Sequence, residues 1–552
     1  MDTQETLFTR GKGCFRLLSS VIMGVGWLLL LIALLALLHA QVGVRVGAAP
    51  PVQGVHSPGE LYVRAGASGS ACTRDAPCGR VQQALDIADP GDHIYVAGGV
   101  YTDPAGTVAV ITKSVTLQGG WSADFTARDT LSYPTTLDAQ ELGSVMRIIS
   151  ATGQLISPTV DGFVIVHGDA SDDGGCGGGI YIEGAGALLV NNVISGNIAH
   201  SSGLGYGGGI YVRDSLVSVV ISDSVVQGNI ASTGGGGYGG GVYLQEGIVV
   251  INDSVIQSNT SSIADEGLGG GILLREGAGT LTGNFIQHNV CSPVSAGEGG
   301  GLYSVGSVVV LRGNTFRDNV ASVPAMGDGG GIYSWTDLAL TAERNVFLSN
   351  TATLSPTASG NGGGCAIYVA RSMGSFTMTN NLVAHNRAGG YGDGVFIWSF
   401  GVEPPYGSLV NNTIADNAPD EESEGVFIAN RGVFTMVNNI VAGHALGITC
   451  TQTALVTGSH NLFWDNASDP ITATGAILGD PCFVDAAAGD YHLSAGSAAI
   501  DQGTSDCAPP TDLDGDLRPV GEGVDIGADE FVASVEPRRD VYLPLLLRNY
   551  PP

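Results

Sequence analysis

The sequence predicts an all-β fold, a single-stranded parallel β-helix or solenoid, and three observations point to it. A Gly-rich turn followed by a short apolar strand recurs as Ile180-Tyr181-Ile182, Ile210-Tyr211-Val212, Val242-Tyr243-Leu244, Ile272-Leu273-Leu274, Leu302-Tyr303-Ser304 and Ile332-Tyr333-Ser334. It continues as Ile367-Tyr368-Val369, Val395-Phe396-Ile397 and Val426-Phe427-Ile428, at intervals of 30, 32, 30, 30, 30, 35, 28 and 31 residues, the mark of a repeat architecture. An Asn-bounded segment travels with each copy, from Asn192–Asn197 through Ser224–Asn229, Ser254–Asn259, Asn284–Asn289, Asn314–Asn319, Asn345–Asn350 and Asn381–Asn386 to Asn412–Asn417. Weaker copies follow at Asn439–His444 and Asn461–Asn466. Finally, the stretches between turns leave no room for a ten-residue helix.

Each repeat therefore reads as strand, turn, strand, Asn turn and a variable Gly/Ser/Thr-rich loop. Short β-branched strands at a fixed period bury their apolar face only against the next copy, so the copies must stack. Parallel strands place successive copies about 4.8 Å apart. Asn residues at one register then form ladders of side-chain amides, as in other in-register stacks. Asn tolerates the left-handed turn conformation, and the Gly triplets supply positive φ where the chain enters the next strand.

The pairing of Gly-Gly-Gly-Ile with Phe-x-x-Asn (Phe316 to Asn319, Phe347 to Asn350) resembles the repeat of polymorphic outer-membrane proteins. More broadly, the chain looks like the right-handed parallel β-helix superfamily that includes pectate lyases. The resemblance covers roughly residues 60–475. It implies that Val81-Gln82-Gln83-Ala84-Leu85 is an N-terminal capping helix and that Gly91-Asp92-His93-Ile94-Tyr95-Val96 opens the first turn. Val81, Leu85 and Ala88 fall on one helical face, as such a cap requires. Beyond Phe483 the repeat stops. Gly489-Asp490-Tyr491-His492-Leu493, Asp512-Leu-Asp514-Gly-Asp516, Arg518-Pro519 and Val524-Asp525-Ile526-Gly527-Ala528-Asp529-Glu530-Phe531 resemble a choice-of-anchor Q module, found at the end of many exported bacterial β-helix proteins. Ala498 and Cys482 depart from that pattern.

The resulting organisation is a targeting segment over 1–49, the β-helix over 58–475, a C-terminal cap module over 476–533 and a short tail over 534–552. Arg10, Lys12 and Arg16 precede an uncharged apolar run from Leu17 to Leu38, 22 residues, or about 33 Å as helix. The segment is either a membrane-retained signal-anchor or a signal peptide cleaved near Val46–Ala49, and either way the remainder is exported to the cell surface or beyond. Eight cysteines follow the run. Cys72 with Cys78, and Cys482 with Cys507, are the candidate disulfides, while no CxxC spacing suggests a thiolate metal site.

Composition excludes two classes. With 22 Lys+Arg against 52 Asp+Glu and a net charge of −30, the chain has no basic stripe for nucleic acid. With 44% hydrophobic and 13% charged residues it is not a disordered polymer, despite 85 glycines.

Candidate chemistry is sparse. Asp172-Asp173 is the one Asp pair of the repeat region and a weak catalytic candidate, reading first as a solvated Gly-rich loop; no other hydrolase or lyase motif accompanies it. Arg213, Arg275, Arg312, Arg344 and Arg371 are scattered and read as surface ion-pairing residues. Asp512, Asp514 and Asp516 invite a structural Ca²⁺ reading, but the EF-hand spacing fails, leaving an Asp-rich turn as the simpler account and no cofactor as the expectation.

The sharpest feature is the middle residue of each repeat strand: Tyr181, Tyr211, Tyr243, Leu273, Tyr303, Tyr333, Tyr368, Phe396 and Phe427. Alternation puts these opposite the inward-facing Ile180 and Ile182. They form either an outer aromatic face that stacks on sugar rings or partner proteins, or a purely structural ladder. The sequence thus points to a surface protein, more in keeping with a non-enzyme, that binds polysaccharide or another surface protein. A polysaccharide lyase or glycoside hydrolase on the same fold is the alternative, and a structural envelope protein the third reading.

Overall fold

The structure is a computed structural model describing residues 58–533 apart from 152–153, 370–373, 400–405, 419–421, 431, 452–453 and 470–474. The targeting segment expected over 1–49, the membrane contact expected through residues 17–38 and the tail over 534–552 lie outside the described residues. Among the described residues, no helix is long and apolar enough to cross a membrane.

Each turn of the solenoid is a run of short strands joined by tight corners. The turn beginning at Ile272 is representative: Ile272–Arg275, Ala278–Thr282, Phe285–Gln287, Val290–Ser292 and Gly297–Glu298. Each pairs in parallel with its successor, Ile272 on Leu302, Phe285 on Thr315 and Val290 on Val320. Among the described residues, stacking the turns creates four parallel sheets, of 24, 14, 6 and 5 strands. The largest merges the first two strand columns because Ile210–Ser222 and Val242–Asn252 run unbroken through that corner. Inside lies one continuous core, in which Ile180, Ile210, Val242, Ile272, Leu302 and Ile332 form one column, and Phe316 stacks on Phe347 at 5.1 Å.

The two Asn ladders run from Asn192 and Asn197 to Asn461 and Asn466, with Ser224, Ser254 and His444 replacing Asn on three rungs, and every rung but the terminal Asn466 is buried. Asn289 shows the wiring. Its Nδ2 donates to Ile256 O in the preceding turn (2.9 Å) and to Asn319 Oδ1 in the next (3.0 Å). Its Oδ1 accepts from both the backbone N–H and the Nδ2 of Asn259, each at 3.0 Å. All four hydrogen-bonding sites of the amide are used, which is what a buried amide requires. The Gly triplets are the other half of this device. A Cβ on Gly271 would stand 3.0 Å from Asn289 Nδ2 and 2.7 Å from Gly301 O, so the amide and the next turn's backbone exclude any side chain there. The first Gly of each triplet, such as Gly269, turns the corner at φ +64°. The Gly-Gly-Gly-Ile/Phe-x-x-Asn pairing is therefore one contact seen from its two sides.

The N-terminal end is closed by the helix Val81–Ile87, whose Val81, Ala84 and Leu85 face the core. Lys113 Nζ donates to Ala88 O (2.6 Å) and Asp86 O (3.2 Å), placing a cation at the helix C-terminus. Cys72 and Cys78 form the expected disulfide beside it. The second expected bridge does not form: Cys482 carries a free thiol. The antiparallel pairing of Phe483–Asp485 with Asp490–Leu493, extended by Ser494 N–H donating to Cys482 O (3.0 Å), holds Cys482 against the Ser494–Gly496 turn.

After Ile477–Leu478, the last strand on the solenoid, the C-terminal segment turns back along the flank of the stack. Asn380, Asn411 and Asn438, each the outward member of an Asn-Asn pair, have φ of 53°, 52° and 55°. Their Nδ2 groups donate to Thr511 O (2.6 Å), Asp525 O (3.0 Å) and Thr504 O (2.8 Å). Beneath them Tyr491, Leu493, Ala499 and Ile526 pack on Leu382, Ile440 and Leu462. A buried ion pair, Arg518 Nη1 to Glu530 Oε2 at 2.8 Å, ties the segment to itself.

His444 occupies an Asn position of the ladder. Its Nε2 meets Asn417 Nδ2 at 3.2 Å, but its buried Nδ1 has no partner, and burial pushes its pKa down to about 4. His444→Asn should therefore stabilise the protein, while Asn289→Ala should destabilise it. Each change is expected to be about 1–3 kcal/mol, the usual cost of one unsatisfied buried group, and denaturant midpoints measure both. Arg518→Met strands a buried carboxylate and should cost about 3–5 kcal/mol, visible as proteolytic loss of the C-terminal segment while the solenoid persists.

Candidate ligand-binding face

The middle residues of the repeat strands stack in register: Tyr181 on Tyr211, Tyr211 on Tyr243, Leu273 on Tyr303 and Tyr303 on Tyr333. They lie opposite the core-facing Ile180 and Ile182, and form an apolar cluster of their own. One register assignment is corrected. Cys365-Ala366-Ile367, not Ile367-Tyr368-Val369, succeeds Ile332-Tyr333-Ser334, so Ala366 holds the middle position and Tyr368 pairs with Trp335 and Trp398. The Gly-to-Asn contact sets this phase, because Gly364, the residue before Cys365, abuts Asn386. The Tyr368 ring leans into the gap left by Ala366, 5.0 Å from Tyr333 and 5.4 Å from Phe396.

A second correction concerns accessibility. Tyr181, Tyr211, Tyr243, Tyr303, Tyr333, Tyr368 and Phe396 are all buried, none more than 8% exposed, and Phe427 is half-buried. Neighbouring rings cover their faces, as Tyr211 and Tyr243 do at 5.1 Å. Side groups cover their edges and tips: Arg147 lies 5.0 Å from the Tyr181 centroid, and Tyr211 OH donates to Gln245 Oε1 (2.7 Å). Burial raises the phenol pKa values along the ladder. The ladder is thus the floor of the face rather than its contact surface.

Two columns flank the floor, and they carry the accessible rings. One lies just before the Gly triplets: Tyr206, Tyr238, Leu268, Glu298 and Asp328, with Tyr206 and Tyr238 stacked at 5.2 Å. The other lies two residues beyond the ladder position: Glu183, Arg213, Gln245, Arg275, Val305, Trp335, Tyr368 and Trp398. In it Trp335 stands 5.2 Å from Tyr368, and Trp398 is stacked at 6.3 Å on the other side. Trp398 is 37% exposed and Tyr391, stacked on Phe427, is 54% exposed. The Gly-Tyr-Gly-Gly-Gly runs at Tyr206 and Tyr238 were a legible signal for the first column.

Carboxylates meet at one point in the first column. Glu298 and Asp328 are register partners on adjacent turns. Burial, then the charges of Asp328 and Glu266, push the Glu298 pKa up to about 7. Asp328 accepts from Tyr368 OH (2.6 Å) and from Asn361 N–H (2.7 Å) and Nδ2 (3.1 Å), which favour its charged form against a burial that raises its pKa.

The other candidates separate. Asp173 pairs with Arg147 (2.9 Å) and accepts from Ser144 N–H (3.2 Å), while Asp172 is exposed; the two do not converge on a cleft. Arg213 pairs with Asp214 (3.0 Å) and Arg312 with Glu343 (3.1 Å), and Arg371 lies outside the described residues. Asp512, Asp514 and Asp516 do not form a joint ligand set. Buried Asp512 spends Oδ1 on the backbone N–H groups of Asp514, Gly515 and Asp516 and Oδ2 on that of Glu530. Asp514 instead reaches His492 Nε2 at 2.8 Å. That contact first, then Asp490, holds the imidazole pKa up at about 9 against burial. His492 and Asp514 line a hollow of about 600 Å³ between the C-terminal segment and strands carrying Gln287, Arg317 and Leu348.

A family model agrees with this architecture. Residues 163–347, and in an overlapping match 244–403, fit the family model described as right handed beta helix region. The fold is a right-handed parallel β-helix. Among solved structures the chain is similar to pectate lyase Pel9A, at 13% identity and a TM-score of 0.36, covering 86% of this chain and 97% of that one. It is also similar to XylC solved with xylose, at 8% identity and a TM-score of 0.33, covering 85% and 98%. The A-module of the Azotobacter vinelandii mannuronan C-5 epimerase AlgE6 follows at 14% identity and a TM-score of 0.32, covering 75% and 96%. No curated protein sequence matches the chain.

The raised Glu298 pKa carries a sign. The folded chain holds this proton more tightly than the unfolded chain, whose carboxyl titrates near 4.5. The associated stability is present below that pH and is lost as pH rises through about 7. Glu298→Gln should accordingly stabilise the protein at pH 8, by roughly 1–3 kcal/mol, and leave it nearly unchanged at pH 4. Paired denaturant titrations at the two pH values measure the difference.

Proposed function

We propose that the protein is an exported cell-surface β-helix that binds polysaccharide along the aromatic face without turning it over. The observation that carries this reading is the run of accessible rings, Trp335, Trp398 and Tyr391 toward one end and Tyr206 and Tyr238 toward the other, on a rigid buried ladder. Rings fixed at the turn spacing offer successive apolar surfaces to successive sugars of an extended chain, and being held in place they lose little freedom on binding. The resemblance of the repeats to those of polymorphic outer-membrane proteins, and of the C-terminal segment to a choice-of-anchor Q module, supports the surface location. The apolar run Leu17–Leu38 behind a basic flank supports export, with membrane retention if it stays uncleaved.

The enzymatic alternative has one observation in its favour. Glu298, with a raised pKa, and Asp328, hydrogen-bonded by Tyr368 and Asn361, are two carboxylates in different electrostatic settings on adjacent turns, the division that acid–base cleavage of a glycosidic bond uses. A single experiment separates the readings. The purified full chain is offered a panel of plant and microbial polysaccharides, with binding followed by affinity electrophoresis and cleavage by released reducing ends and unsaturated products. Binding without product, weakened roughly 3- to 10-fold by each of Trp335→Ala and Trp398→Ala, is the expected result. Sustained product formation that Glu298→Gln and Asp328→Asn abolish would replace this reading with the enzymatic one.

A further inference from the structure

The strand Asp490–Leu493 alternates, so Tyr491 and Leu493 enter the apolar contact with the solenoid while Asp490 and His492 share the other face. His492 Nε2 faces Asp514 on the Asp512–Asp516 turn, and Asp529, on the last described stretch, completes the group. One donor atom from each of the three residues lies within 4.8 Å of the others. Small side-chain movements would bring all three onto one small cation, whose donors stand about 3–4 Å apart. We propose that His492, Asp514 and Asp529 form a binding site for a divalent transition ion of the Zn²⁺ class, fastening together three separate segments of the C-terminal module.

Two further features, outside the three donors, are arranged as a metal site needs. Asp490 Oδ1 sits 2.5 Å from His492 Nδ1, so the far nitrogen of the imidazole is held by a carboxylate while Nε2, 2.8 Å from Asp514 Oδ2, is the nitrogen turned toward the other two donors. This is the outer-shell arrangement that orients histidine ligands. Leu493 N–H donates to Asp529 Oδ2 (2.7 Å), fixing that carboxylate through backbone. The group also opens on the hollow of about 600 Å³, whose opposite wall carries Gln287 and Arg317. Water can therefore supply the remaining ligand, as in open sites with three protein donors. An imidazole among the donors argues against Ca²⁺ and Mg²⁺, which take oxygen ligands, and for Zn²⁺ or its neighbours. The proposal does not depend on the glycan-binding reading, because the site lies in the C-terminal module and uses none of the aromatic face.

The test uses the full chain, purified without a polyhistidine tag and stripped with chelator. Titration with Zn²⁺ by calorimetry, with metal content after dialysis, should give one tightly bound ion and a melting temperature that rises with added Zn²⁺. Asp514→Asn and His492→Gln should each weaken binding at least tenfold, and Asp490→Asn by roughly tenfold, while Asp172→Asn leaves it unchanged. Should His492→Gln fail to fold, the exposed Asp514 decides alone. Co²⁺ substituted for Zn²⁺ should show no thiolate charge-transfer band. No stoichiometric binding at micromolar Zn²⁺, binding indifferent to Asp514→Asn, equal competition by Ca²⁺, or a thiolate band placing the ion on a cysteine such as Cys482 would each overturn the site.

Discussion

Everything in this structure depends on a buried asparagine amide that reaches three turns at once. An interior ladder Asn takes an acceptor from the turn before, donates to the turn after and accepts from its own stacked neighbour, as Asn289 does with Ile256, Asn319 and Asn259. A buried amide left short of one partner costs on the order of 1–3 kcal/mol, so each turn is held in register by the amides of its two neighbours. The constraint reaches the Gly triplets as well, because the space beside the amide is too small for a Cβ. Turn length is free to vary only in the loops between these fixed points. That is why intervals drift by several residues while the strands stay in phase.

A stack in strict register turns every position of the repeat into a column along the molecule. Inward columns become the core. Outward columns become strips of surface in which each turn contributes one side chain, so the chemistry met along the axis is read off turn by turn. The column before the Gly triplets passes from Tyr206 and Tyr238 through Leu268 to Glu298 and Asp328. The column beyond the ladder passes from Glu183 and Arg213 to Trp335 and Trp398. An extended polymer lying along the axis would meet aromatic rings at both ends of the face and titratable groups between them. A compact ligand would meet only one of these regions.

The fold was legible because its period is written in residues with a physical duty, the Asn and Gly of the ladder contact. The one misread phase shows what carries the information. Ile367-Tyr368 imitates Ile332-Tyr333, yet the apolar strand residues are interchangeable, whereas Gly362–Gly364 are not. Counting from the triplet puts Cys365 in place. Burial of the aromatic ladder was not legible in the same way. Alternation tells which face a ring takes, but whether it is covered depends on the side groups above, below and beside it, such as Arg147 over Tyr181 and Gln245 on Tyr211. Nor could Asp512, Asp514 and Asp516 be told apart in sequence. Only the folded turn consumes Asp512 on backbone N–H groups and sends Asp514 to His492.

The C-terminal segment follows a different rule from the solenoid it rests on. It has almost no regular structure, and it is organised by carboxylates that accept backbone N–H groups: Asp512, Asp525 and Asp501 each bind several or bridge distant stretches. Such a segment cannot nucleate by itself, since its apolar residues are few and find cover only against Leu382, Ile440 and Leu462 of the solenoid. Its register on that flank comes from Asn380, Asn411 and Asn438, the outward twins of ladder asparagines, spaced by the turns themselves. The solenoid thus serves as the template on which the segment is read out. This makes the segment's order conditional on correct stacking of the last turns, and it places the Asp490–His492 strand and the Asp514 and Asp529 carboxylates where three otherwise independent stretches of chain meet.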